Sequence, residues 1–126
     1  MKKLILLLTG LLFLIALSFG SYKKFSSSKY QALLIYDFNS NTRSFGLEDF
    51  KNLDLNFPNI TVTALPIKYL KARYYLEIDS VETAKKLIYE SIKTNPYIYA
   101  PEILLSQIYL SENKLDSALY YSKKAF

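Results

Sequence analysis

The 126-residue sequence contains no cysteine, no histidine and no tryptophan, and only three glycines and four prolines. Without cysteine there is no disulfide framework, no thiolate metal site, no thiol nucleophile and no lipid-modified cysteine of a lipoprotein anchor. Without histidine the usual general base and the commonest metal ligand are both missing. Gly10, Gly20 and Gly46 are too few and too scattered for a glycine-rich phosphate loop, and neither a nucleophile elbow nor a metal-ligand spacing occurs. Asp37, Glu48, Asp49 and Asp54 lie close in sequence, but no pattern shelters two of them together, so they read as surface charges. These absences point away from an enzyme and from any cofactor or metal.

Acidic residues are also missing from one region. Residues 1–29 hold Lys2, Lys3, Lys23, Lys24 and Lys29 and no carboxylate, which accounts for the whole net charge of +5. Residues 30–126 carry eleven basic and eleven acidic side chains and are neutral. A nucleic-acid-binding domain needs its surplus charge on the folded face. Here the surplus flanks a hydrophobic segment, where lysines sit among headgroups or orient insertion, so nucleic acid is not the expected partner.

That segment, Leu4 to Gly20, follows Met1-Lys2-Lys3 and has the layout of an export signal. Its 17 residues are at the lower limit for a helix that crosses a bilayer. Two readings stand for residues 1–21. A signal peptidase cuts after Ser18 or Gly20, or the segment stays as an anchor with Tyr22, Lys23, Lys24 and Phe25 as its interfacial collar. The expected location is the bacterial inner membrane, single-pass with an extracytoplasmic C-terminal domain; the alternative is periplasmic or secreted.

Residues 22–63 read as a linker with a degenerate capping element. Ser26-Ser27-Ser28 is a polar linker by composition, Tyr30–Phe38 fits a helix or a strand equally, and Asn39–Thr42 is a turn. Leu47–Leu55 has helical spacing and ends before Pro58. Asn59-Ile60-Thr61 matches a glycosylation sequon, a tripeptide too common by chance to carry weight.

Residues 64–126 repeat at an offset of 34. Ala72 matches Ser106, Tyr75 matches Tyr109, Leu76 matches Leu110, Ala84 matches Ala118, Leu87 matches Tyr121 and Ser91 matches Ala125. Small residues at such offsets mark places where paired helices cross closely, and aromatics fill the gaps between pairs. The expected helices are Pro66–Ile78, Val81–Lys93, Pro101–Ser111 and Leu115–Phe126. Asp79-Ser80 and Glu112-Asn113-Lys114 form the turns, and Asn95-Pro96 breaks the second helix. The fold class is therefore all-α: an N-terminal hydrophobic helix followed by a short α-solenoid of two helix–turn–helix units.

These residues resemble the tetratricopeptide repeat family over residues 65–126. Leu105, Ser106, Tyr109, Ala118 and Ala125 all fall on its pattern positions. The first unit departs from the pattern at Lys68 and Lys71, with Ile67 and Leu70 expected to supply the packing instead. The stretch from Phe57 onward is also similar to the repeat-bearing tail of bacterial O-antigen ligase or polymerase-type membrane proteins, which implies a cell-envelope role. The tetratricopeptide resemblance implies a groove lined by the first helix of each unit: Tyr69, Arg73, Leu76 and Glu77, then Ile103, Gln107 and Leu110. An aromatic, a guanidinium and an amide on one surface suit an extended peptide or its carboxylate. Taken singly, Arg73 and Glu77 also fit a solvated pair worth a few tenths of a kcal/mol.

The expected function is that of a membrane-tethered or exported scaffold that binds a protein or peptide partner on the extracytoplasmic side. The alternative is an accessory or truncated tail of an envelope-polysaccharide ligase or polymerase. Because Phe126 falls inside or just after the second helix of the second unit, that unit reads as incomplete, and a fragment of a longer array, or an end covered by a partner or by self-association, is expected. An intact Met1 or Lys2 in the mass spectrum of the mature protein is the outcome expected for an anchor. A mature chain starting at Phe19 or Ser21 would make it an exported protein.

Overall fold

The computed structural model describes residues 2–40, 42, 44–46, 49 and 59–126. The expected helix over Leu47–Leu55 lies outside the described residues. Among those described, the regular structure is all helical: α1 (Lys2–Ser40), α2 (Ile67–Glu77), α3 (Val81–Thr94), α4 (Ala100–Ser111) and α5 (Leu115–Ala125).

Helix α1 has 39 residues, which at 1.5 Å per residue is roughly 58 Å. Its N-terminal half is apolar on every side and exposed throughout (Leu6 is 76% exposed), long and apolar enough for a membrane span or a signal sequence. Beyond it the helix acquires one buried face made of Ser27, Gln31, Leu34 and Asp37, spaced by four, three and three residues.

This helix corrects one expectation and resolves one open alternative. Ser26-Ser27-Ser28 is not a linker: all three residues are helical, and Ser27 is fully buried, its Oγ accepting a bond from Gln31 Nε2 at 3.1 Å. Serine is only a weak helix former, and tertiary burial of the following turns outweighs that preference. Tyr30–Phe38, left open between helix and strand, continues the same helix.

The four shorter helices form two hairpins, α2–α3 and α4–α5, with α3 packed against α4. Small residues permit each crossing. Ala72 and Ala84 are fully buried between α2 and α3, and in the second hairpin Ser106 Oγ donates to the Ala118 carbonyl at 2.9 Å. Ile88, Leu105 and Ile108 join Ala72 and Ala84 in one core that spans both hairpins. Glu102 in the first turn of α4 is buried, and Lys124 in the last turn of α5 comes within 3.7 Å of it, each charge complementing its own helix dipole. Ile67 and Leu70 are buried against Leu34 of α1 and Tyr74.

Both hairpin turns have the same backbone at the 34-residue offset. Asp79 N donates to the Leu76 carbonyl and Ser80 N to that of Tyr75; Asn113 N donates to Leu110 and Lys114 N to Tyr109. Asp79 (φ 60°) and Asn113 (φ 58°) occupy the left-handed region. Together these features make a Schellman cap, in which Asn and Asp are the residues other than glycine that tolerate the position best. Ahead of α2, residues 59–66 close into a tight loop. Thr61 N donates to the Leu65 carbonyl at 2.8 Å, and Asn95 Nδ2 donates to Ala64 O at 2.9 Å, tying the loop to the end of α3. Thr61 of the sequon is buried there.

A β-branched residue cannot adopt the left-handed conformation cheaply. Asp79→Val and Asn113→Val are each expected to destabilise by about 1–2 kcal/mol, and Asn113→Gly to cost nothing. Urea unfolding followed by circular dichroism measures both; equal midpoints for the valine and glycine variants would contradict the cap.

Candidate functional site

The first helices of the two hairpins, α2 and α4, line a cleft of about 280 Å³ formed by Tyr69, Arg73, Ala100, Ile103, Leu104 and Gln107. Four of the seven residues expected in a groove therefore meet in one place: Tyr69, Arg73, Ile103 and Gln107. Leu76, Glu77 and Leu110 do not line it. Leu76 packs with the core shared by the hairpins, while Glu77 and Leu110 are exposed. All three lie in the last two turns of their helices, next to the caps.

Arg73 is oriented from a direction the sequence did not signal. Its guanidinium carbon lies 3.5 Å from the centroid of the Phe38 ring and 6.0 Å from that of Tyr69. Phe38 belongs to α1, so the helix that carries the apolar segment also positions the Arg73 side chain of the cleft. A guanidinium stacked on an aromatic face keeps its in-plane N–H groups directed outward while one face is covered. The cleft thus combines a positioned cation, an amide, a phenol ring and the apolar Ile103 and Leu104. That is suited to an extended chain with an acidic or carboxylate group, held by paired N–H donors.

Asp37 holds α1 against the hairpins. Only 2% exposed, it is not the surface charge its sequence neighbourhood implies. Asp49, by contrast, is exposed, and Glu48 and Asp54 lie outside the described residues. Among the described residues the Asp37 carboxylate accepts hydrogen bonds from Ser44 N (2.6 Å), Ser44 Oγ (2.5 Å), Thr42 Oγ1 (2.7 Å) and Tyr74 OH (2.7 Å). Tyr74 OH also lies 3.3 Å from the Leu34 carbonyl, and its ring meets Phe38 edge-on at 5.8 Å. Burial alone would raise the Asp37 carboxyl. The hydroxyls of Ser44 and Thr42, the Ser44 amide and the Tyr74 hydroxyl outweigh it and hold Asp37 well below the usual carboxylate range. The signal that could have revealed this residue is slight: one acid among Leu, Ile, Tyr and Phe neighbours, three residues before a Ser/Thr-rich turn.

Among the described residues no three acidic side chains converge as a metal site would require. Comparison with protein-family models, with curated proteins and with solved structures finds no match to this chain.

Because the Asp37 carboxyl is depressed in the folded protein, its contribution is present above the unfolded-state value of about 3.9 and is lost as pH falls below it. Hydrogen exchange over Tyr30–Phe38, taken relative to the intrinsic rate at each pH, should accelerate below about pH 4. Asp37→Asn should weaken the junction by about 1–3 kcal/mol at neutral pH and remove this pH dependence. Exchange in α4 and α5 should not change. Equal acceleration in all helices would show that Asp37 does not act locally.

Proposed function

We propose that the chain is a membrane-tethered adaptor. Its paired hairpins bind an extended peptide segment of a partner protein in the α2–α4 cleft, on the extracytoplasmic side. The observation that carries this reading is the meeting of Tyr69, Arg73, Ile103 and Gln107 in one cleft, with Arg73 stacked on Phe38. The 34-residue recurrence and its resemblance to tetratricopeptide repeats support the same reading, since such hairpins present the first helix of each unit to a ligand. The exposed apolar half of α1 supports tethering, and the export-type layout of its start supports an extracytoplasmic module.

In this mechanism Arg73 receives an acidic side chain or terminal carboxylate, and Gln107 bonds to peptide backbone. Tyr69, Ile103 and Leu104 cover apolar side chains of the ligand. Nothing is transformed; the protein concentrates a partner at the membrane surface, where the tether raises its local concentration.

The test uses peptides selected from a random display library on the full chain in dodecyl maltoside. Selected peptides should share an acidic residue or free carboxyl terminus. Arg73→Ala and Gln107→Ala should each weaken binding by roughly tenfold, as expected for a charge-assisted contact. Undiminished affinity in both variants would overturn the cleft assignment.

A further inference from the structure

A second cleft shares no lining residue with the first. It has a volume of about 530 Å³ and runs between α3 and the second hairpin, with Lys85, Lys86, Tyr89 and Lys93 on one side and Tyr109 and Lys114 on the other. The lysines do not all have the same role. Lys85 is buried and holds Glu82 at 2.9 Å and Glu112 at 2.5 Å, and Lys114 holds Glu112 at 2.9 Å. Glu90, also on the cleft wall, is taken by Lys68 of α2 at 2.6 Å. Among the described residues no carboxylate lies within 4.0 Å of the Lys86 or Lys93 ammonium. These two lysines are seven apart, two turns on one face of α3, with Tyr89 and Glu90 between them; Glu90 feels both cations, but its direct ion pair is with Lys68. A local cationic surplus therefore remains in a region, residues 30–126, whose overall charge is neutral.

The tyrosines supply a second, independent observation. Tyr89 OH lies 2.6 Å from Tyr109 OH and receives a hydrogen bond from Tyr121 OH at 3.3 Å. The Tyr109 and Tyr121 rings stack at 5.6 Å, and Tyr121 meets Tyr89 edge-on at 6.2 Å, so the three phenols are held together. Three hydroxyls carry three protons, and two oxygen–oxygen contacts use only two of them. With Tyr121 donating to Tyr89, the spare proton belongs to Tyr109 if Tyr89 donates to it, and to Tyr89 if Tyr109 donates. Both residues line the cleft, so in either arrangement the spare proton is carried by a cleft-lining residue. Burial, then hydrogen bonding to Tyr109 and Tyr121, pushes the Tyr89 phenol far above its ordinary value, so it stays protonated.

We propose that this cleft binds a phosphate group, held by the Lys86 and Lys93 ammonium groups and by the spare hydroxyl proton of the Tyr89–Tyr109–Tyr121 cluster. The donors approach from two walls and are point charges or single hydroxyls. Such an array suits a tetrahedral anion with several acceptor oxygens better than a planar carboxylate, which is matched by the paired N–H groups of arginine. No arginine lines this cleft. The phosphate can belong to a lipid headgroup or be free in solution. This proposal is independent of the peptide-binding reading of the α2–α4 cleft.

The experiment is isothermal titration of the full chain in dodecyl maltoside, which carries no phosphate. The probes are inorganic phosphate, short-chain dihexanoyl phosphatidic acid and acetate. Saturable binding of at least one phosphate probe is expected. The Lys86→Ala/Lys93→Ala double variant should weaken it at least about tenfold, and the Lys86→Arg/Lys93→Arg variant should restore most of the affinity. Tyr89→Phe/Tyr109→Phe should weaken it in the same direction, and the lysine variants decide the matter if that variant fails to fold. Tighter binding of phosphatidic acid identifies a lipid headgroup as the source, and equal affinity identifies free phosphate. No saturable binding of either phosphate probe, unchanged affinity in the lysine-to-alanine variant, or acetate binding as tight as phosphate would each overturn the assignment.

Discussion

A carboxylate buried on the side of a helix must be satisfied by groups from elsewhere in the chain, and Asp37 is satisfied from two directions at once. Thr42 and Ser44 come from the segment just beyond α1, and Tyr74 comes from α2. An ionised acid left without these donors costs more than most single contacts return, so the carboxylate is stable in this position only when α1, the following turn and α2 are all in place. The consequence reaches the α2–α4 cleft. Phe38, next to Asp37, is the ring on which the Arg73 guanidinium lies, so the docking of α1 also orients the cation of the cleft. One charge thereby couples the apolar N-terminal helix to the surface on which binding is proposed.

Within the hairpins the governing constraint is close approach. Ala72 and Ala84 put only methyl groups where α2 and α3 approach most closely, and Ser106 is small enough to donate directly to the Ala118 backbone. Close crossings of this kind need the connecting turns to be short and of one geometry, which the two Schellman caps at Asp79 and Asn113 supply. The outer surfaces of the same helices are then free to vary. That is why α3 can carry both an apolar core face, through Ala84 and Ile88, and a lysine-rich face through Lys86 and Lys93.

How much of this could be read beforehand differs by region. The hairpins were legible because their packing rules repeat: the same small residues and the same turn positions recur after 34 residues, so each copy corroborates the other. Tyr69, Arg73, Ile103 and Gln107 were reached only through the tetratricopeptide resemblance, which implies a groove along the first helices. The C-terminal half of α1 was not, because its buried face contains Ser27, Gln31 and Asp37, and polar residues give no hydrophobic period to detect. The tyrosine cluster was equally hidden, since Tyr89, Tyr109 and Tyr121 come from three helices and nothing local distinguishes them from packing aromatics.

The sequence by itself determined the all-helical class, the two hairpins with their turns, and the presence of one apolar N-terminal segment. Each rests on local preferences or on a repeat, and both are written into consecutive residues. Only the tertiary structure decided that α1 runs unbroken through its serines and that Asp37 is buried. The same holds for the stacking of Arg73 on Phe38 and the assembly of three phenols beside Lys86 and Lys93. Those outcomes depend on polar groups finding partners far along the chain. A buried charge and a solvated one look alike in a sequence until the donors that surround it are known.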